Sequence, residues 1–145
     1  MSDAFSEVLA AFGAAAATVP GIATLATDPR DPVPPARLPA LELRSGGADP
    51  LEAATGRDGW AWELIVTLAV GADVADDLGA LLRPLTVATA KALLADPTLG
   101  GKVADLRWTG CSAVTGTSEG SYVASIDLLF TAEFETAEDD PTQLI

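Results

Sequence analysis

Trp60-Ala61-Trp62-Glu63-Leu64-Ile65-Val66-Thr67-Leu68-Ala69-Val70 is the stretch on which the fold turns. Trp60, Trp62, Leu64, Val66, Leu68 and Val70 alternate without a break, while Glu63 and Thr67 fall on the other side. A period of two marks a strand with one face in a core. Tyr122–Thr136 repeats the pattern, with Tyr122, Ala124, Ile126, Leu128, Phe130, Ala132 and Phe134 on one face and Ser125, Asp127, Thr131, Glu133 and Glu135 opposite. That strand is long against a typical ~5–6 residues, and a strand that outruns its sheet is expected to meet another subunit.

Working outward, Ser2 or Asp3 can cap a first helix, with Phe5, Val8, Leu9, Phe12 and Ala16 at helical spacing. Pro20 ends it, and Ile22–Thr27 is a short β-capable run. Pro29, Pro32, Pro34, Pro35 and Pro39 exclude helix and central strand, leaving a loop before a strand at Ala40–Arg44. Ser45–Gly59, with Gly46, Gly47, Pro50, Gly56 and Gly59, reads as a long polar connection and a candidate contact loop. A second helix opens at Asp73, Asp76 and Asp77 and runs to about Ala95 on a stripe of Leu78, Leu81, Leu82, Leu85, Ala88, Ala92 and Leu93, with a kink or break expected at Pro84. Asp96-Pro97-Thr98-Leu99-Gly100-Gly101 stops it. Leu106–Val114 is a further strand, Gly116–Gly120 a turn, and Glu138–Ile145 an acidic C-terminal tail. The order α-β-β-β-α-β-β implies an α+β fold: one domain over residues 1–137, an antiparallel or mixed sheet with two helices packed on one face. Its core should contain Leu64, Val66, Leu68, Leu81, Leu82, Leu128 and Phe130.

The 145 residues suffice for one core and not two. No apolar run reaches the ~18 residues of a membrane span, and Asp3 and Glu7 stand where a signal peptide would be basic, so a cytoplasmic product is expected. The chain has no histidine and one cysteine, Cys111. The commonest general base and metal ligand is therefore missing, as are internal disulfides and cysteine-rich zinc sites. Net charge is −13, and from Glu119 onward there are seven acids and no base. Phosphate binding needs basic patches, so this composition argues against binding nucleic acid.

Few residues offer chemistry. Asp73, Asp76 and Asp77 lack the glycine and distal glutamate of a calcium loop, and first-turn acids complement a helix dipole. Glu133 and Glu135 share a strand face, as paired glycosidase carboxylates would, but without an aromatic subsite. Cys111 has no histidine partner and reads as a buried or half-buried packing residue. Gly100-Gly101 follows a helix and lacks a Gly-Lys-Ser/Thr continuation, so it is no phosphate loop. Trp60, Trp62 and Trp108 suit core or interface packing better than a stacking platform for bases or sugars. No catalytic, cofactor-binding or metal-ligating residues are assigned, and no cofactor is expected.

The second half resembles a known family. The segment Ala92-Leu93-Leu94-Ala95-Asp96-Pro97-Thr98-Leu99-Gly100-Gly101, then Val103-Ala104-Asp105-Leu106-Arg107, is similar to phage tail-terminator or tail-completion proteins. The closing Phe130-Thr131-Ala132-Glu133-Phe134-Glu135-Thr136 fits the same pattern, as does the opening helix before Val19-Pro20-Gly21-Ile22; Pro84 and the Pro29–Pro39 segment depart from it. The resemblance implies an α+β subunit of a homo-hexameric ring that caps the head-proximal end of a tail tube, ends its polymerisation and joins it to the head connector. Implied partners are further copies of the chain, the tail tube protein and a connector or head-closure protein. Genomic DNA would pass through the lumen without specific binding, no membrane would be involved, and the ring would be part of a virion assembled in the bacterial cytoplasm. Six subunits of −13 would carry −78 formal charges, which would resist DNA adhesion. The nearest alternatives are a head-closure protein or a tail-tube subunit; an enzyme or small-ligand-binding domain is more remote.

Overall fold

The computed structural model describes residues 3–31, 33–118 and 120–145. Helix α1 (Ala4–Ala16) starts at Asp3, whose carboxylate accepts the Ser6 N–H at 2.7 Å; Ser2 lies outside the described residues. Strands β1 (Thr24–Thr27), β2 (Ala40–Leu51) and β3 (Arg57–Ala72) follow, then α2 (Leu78–Leu94), β4 (Asp105–Ser118), β5 (Ser121–Ala137) and β6 (Asp140–Leu144). The result is an α+β domain with one six-stranded mixed sheet. The order is β1-β2-β3-β5-β4, with β1 parallel to β2 and the other pairs antiparallel.

β3 and β5 pair along their whole length, from Arg57↔Ala137 to Ala72↔Tyr122. Their alternating apolar residues therefore fall on one face, where Leu64, Val66, Leu68, Leu128 and Phe130 are fully buried. Both helices cover this face. Phe12 of α1 meets the Phe130 ring edge-on at 5.6 Å, and Phe5 meets Trp60, Trp62 and Phe134 at 5.0–5.7 Å. From α2, Leu93 and Ala90 enter the same core, while Leu78 joins Val70 and Ala124 in a smaller cluster.

Several expectations are corrected. Ser45–Gly59 is not a long loop, because β2 continues to Leu51 and only Glu52–Gly56 turns the chain. A β-bulge between Ser45 and Ala48 absorbs one extra residue and hides the strand period. Gly46 suits that bulge: its carbonyl accepts the Trp62 indole N–H at 3.3 Å, and a Cβ there would lie 3.1 Å from Glu63 Cβ. Residues 138–145 are not a loose tail. Asp139, at φ +56°, turns the chain with its N–H donated to the Asp58 carboxylate, and β6 then pairs with β5 and brings Leu144 against the core.

Leu81 is not core; it is 44% exposed. The inward line of α2 runs through Leu78, Leu82, Leu85, Thr89 and Leu93, and Leu81 lies on its flank. Thr89 is buried because its hydroxyl donates to the Leu85 carbonyl at 2.6 Å, which lets a polar residue occupy an apolar line. The helix runs through Pro84 as one element and not as two pieces. Cys111 is exposed, since it stands on the edge strand β4. Finally, β5 does not outrun its sheet: β3 flanks one side throughout, while β4 and then β6 flank the other. The Gly116–Gly120 turn is also tighter than expected, with β4 reaching Ser118 and β5 starting at Ser121; Glu119, like Pro32, lies outside the described residues.

Phe130→Ala should lower unfolding free energy by about 3–5 kcal/mol, the usual cost of emptying a buried aromatic position, whereas Leu81→Ala should cost less than about 1 kcal/mol. Urea unfolding of the two variants checks this, and equal losses would contradict the facing of both elements.

Candidate functional site

Helices cover one face of the sheet; the other carries the odd-numbered side of β3 and its register partners. Across its centre run Glu42, Thr67, Asp127 and Ser112, and beside them Arg44, Ile65, Leu129 and Gly110. The polar row is hydrogen-bonded: Thr67 donates to Asp127 at 2.7 Å, and Arg44 donates to Glu42 at 2.9 Å. Glu42 is buried, and its other carboxylate oxygen accepts the Val33 N–H at 3.2 Å. The proline-rich loop is thereby fastened to β2, and Thr24 secures its far end by donating to the Arg37 carbonyl at 2.9 Å.

At one end of the sheet the β2–β3 and β5–β6 turns lie together. Glu138 N–H donates to the Gly56 carbonyl at 3.0 Å, and Leu51, Glu52, Gly59, Glu133, Phe134 and Glu135 line a cleft of about 120 Å³. Glu133 and Glu135 do not form a catalytic pair here. Glu133 accepts from Arg107 and Glu135 from Arg57, as partly exposed cross-strand ion pairs that are individually worth little.

The other sequence candidates fall apart from this end and from one another. Asp73, Asp76 and Asp77 are exposed in the approach to α2, and Asp76 and Asp77 belong to a 3-10 turn. Among the described residues, no cluster of three or more His, Cys, Asp or Glu is placed to hold a metal ion. Gly100 and Gly101 adopt φ of +70° and +84° in the turn after α2. Asp96 organises that turn: the Thr98 hydroxyl and the Gly100 and Thr98 N–H groups donate to its carboxylate and hold its pKa below the usual range. Ser6 does the same for Asp3 at the start of α1. Trp60 and Trp62 belong to the Phe5 cluster, with Trp60 donating its indole N–H to Thr136 at 3.1 Å. Trp108 stands apart from them on β4, stacked on Phe130 at 6.4 Å and 42% exposed.

Sequence reasoning missed the edges. Among the described residues β4 pairs only with β5, so one side of a fourteen-residue strand has no partner strand there. Its protection is slight: the strand contains no proline, one bulge between Trp108 and Gly110, and charges only at Asp105 and Arg107. The larger grooves, of about 370 Å³ between α1 and α2 and about 380 Å³ between α1 and β1, are open and lined mostly by alanine, glycine and leucine. The fold therefore defines an open-sheet α+β protein whose distinctive features are surfaces and edges.

No family model and no curated protein matches the chain. Among solved structures it is similar to a chain of one described as the virion of native gene transfer agent particle, with 18% identity and a TM-score of 0.37 over 92% of both chains. Among the described residues, no helix is long and apolar enough to cross a membrane.

Replacing Glu42 by Ala should release the proline-rich loop and speed tryptic cleavage after Arg30 and Arg37 several-fold, followed by mass spectrometry of the fragments. Cleavage at the wild-type rate would show that the Glu42–Val33 contact does not hold the loop.

Proposed function

We propose that this protein is a structural subunit of a phage or phage-like virion, a tail terminator whose copies close into a ring at the head-proximal end of the tail tube. The observation that carries the reading is the free, weakly protected edge of β4. A long strand edge with unpaired backbone groups is a template for a neighbouring chain, and natural monomers guard such edges more heavily. An edge used by a different surface of the next copy makes a head-to-tail contact, and such contacts generate rings when the rotation closes.

The family resemblance supports the same reading. The segment that carries it, Ala92–Arg107, is the one that ends α2, turns at Asp96–Gly101 and launches β4. Neighbours would attach along β4 and the adjoining flank of α2. The uncovered sheet face then remains for the lumen, the tube and the connector. Surplus negative charge on that face favours the passage of DNA without adhesion.

Mass measurement at high protein concentration should show one closed species, about 88 kDa for a hexamer of the 14.7 kDa chain. Monomer at every concentration would contradict the proposal, and open-ended polymers would identify a tube subunit instead. In the producing cell, deletion of the gene should yield heads with overlong or unjoined tails; normal infectious particles would remove the terminator assignment.

A further inference from the structure

Helix α2 has a solvent face unlike the rest of the surface. The chain carries −13 overall, yet α2 contains two bases, Arg83 and Lys91, and no acid. Both are exposed, and between and beside them Leu81 is 44% and Val87 67% exposed, with Pro84 also at the surface. Neither base takes part in an ion pair among the described residues. A basic and apolar helix face on a strongly acidic molecule marks a docking surface for something acidic with apolar residues of its own.

The chain supplies such a complement at the end of its own sheet. There Leu51 is 41% and Ile145 52% exposed, beside exposed Glu52, Glu138 and Asp139. The β2–β3 and β5–β6 turns hold these acids together through the Glu138–Gly56 and Asp139–Asp58 hydrogen bonds. The small cleft beside them is lined by Leu51 and Glu52, and Glu52 makes no ion pair among the described residues.

We infer that the outer face of α2 docks on the acidic end of the sheet in a second copy of this chain, with Arg83 and Lys91 set against Glu52, Glu138 and Asp139. The inference rests on the self-association proposed above and names the contact that makes it. The two patches are different, so each copy uses one toward each neighbour and the contact is head-to-tail. Because α2 also touches β4, the same approach brings the neighbour toward the free β4 edge. Charge pairing of this kind directs which surfaces meet, and Leu81 and Val87 exclude water from the contact.

The test is a charge exchange in the full chain, read by analytical ultracentrifugation across a salt series. Arg83→Glu with Lys91→Glu should weaken association by about ten-fold or more, and Glu52→Lys with Glu138→Lys should do the same. The chain carrying all four changes should regain association, since each altered patch again meets its complement. Val87→Asp should weaken it without rescue by either pair. All these positions are exposed, and unchanged melting curves would show that each variant folds. If the wild type assembles and the charge reversals leave it unaffected, or if the four-fold variant stays dissociated while folded, the α2 contact is wrong and the ring reading stands. A wild type that is monomeric throughout overturns both.

Discussion

The pairing of β3 with β5 is the constraint on which the remaining structure depends. It sets the registers Trp60↔Phe134, Leu64↔Phe130 and Val66↔Leu128, so the large apolar side chains of two distant segments stand directly opposite one another. A slip of one residue would turn all of them to the uncovered face. With the register fixed, Phe5 and Phe12 have rings to pack against, α1 is positioned, and the outer edges of β3 and β5 are left for β2 and β4. The connection through α2 carries the chain back across the buried face before β4 begins.

Charge then differentiates the surface that this core leaves behind. Among the described residues, five of the eight bases make no ion pair or a distant one, while on the uncovered face Arg57 and Arg107 neutralise carboxylates of β5 and Arg44 neutralises Glu42 on its own strand. Unneutralised acids stand at the β2–β3 and β5–β6 turns and at Asp73, Asp76 and Asp77 ahead of α2, whereas α2 itself carries only bases. A uniform excess of negative charge would keep copies apart; a segregated one keeps most surfaces repulsive and makes one orientation attractive. That distribution, together with an open strand edge, is what the proposed role in a ring requires of a subunit.

Strict alternation made β3 and β5 legible, and helical spacing gave α1, because in each the buried face follows the sequence period without interruption. Legibility failed where geometry broke the period. The bulge at Gly46 made a strand look like a loop, since glycine there reports a close approach to Glu63 rather than a turn. Acidity made β6 look like a tail, although Leu144 and the Asp139 turn are enough to pair it. On α2, Leu81 reads as core but lies on the flank, and Thr89 joins the buried line because a hydroxyl bonded to its own helix behaves as an apolar group. The β4 edge could not be read from sequence at all: nothing in Asp105–Ser118 tells which of two neighbouring positions in the sheet remains empty.

Hydrogen–deuterium exchange on dissociated and assembled protein tests the central claim most directly, because it reports on β4 independently of the size of the assembly. In the dissociated chain, β3 and β5 amides should be protected along their length, while alternate amides of Arg107–Ala113 on β4 exchange freely. On assembly those β4 amides should slow by about ten-fold or more as the edge gains a neighbour, with β3 and β5 unchanged. An assembled form in which β4 exchanges as fast as in the isolated subunit would contradict the account.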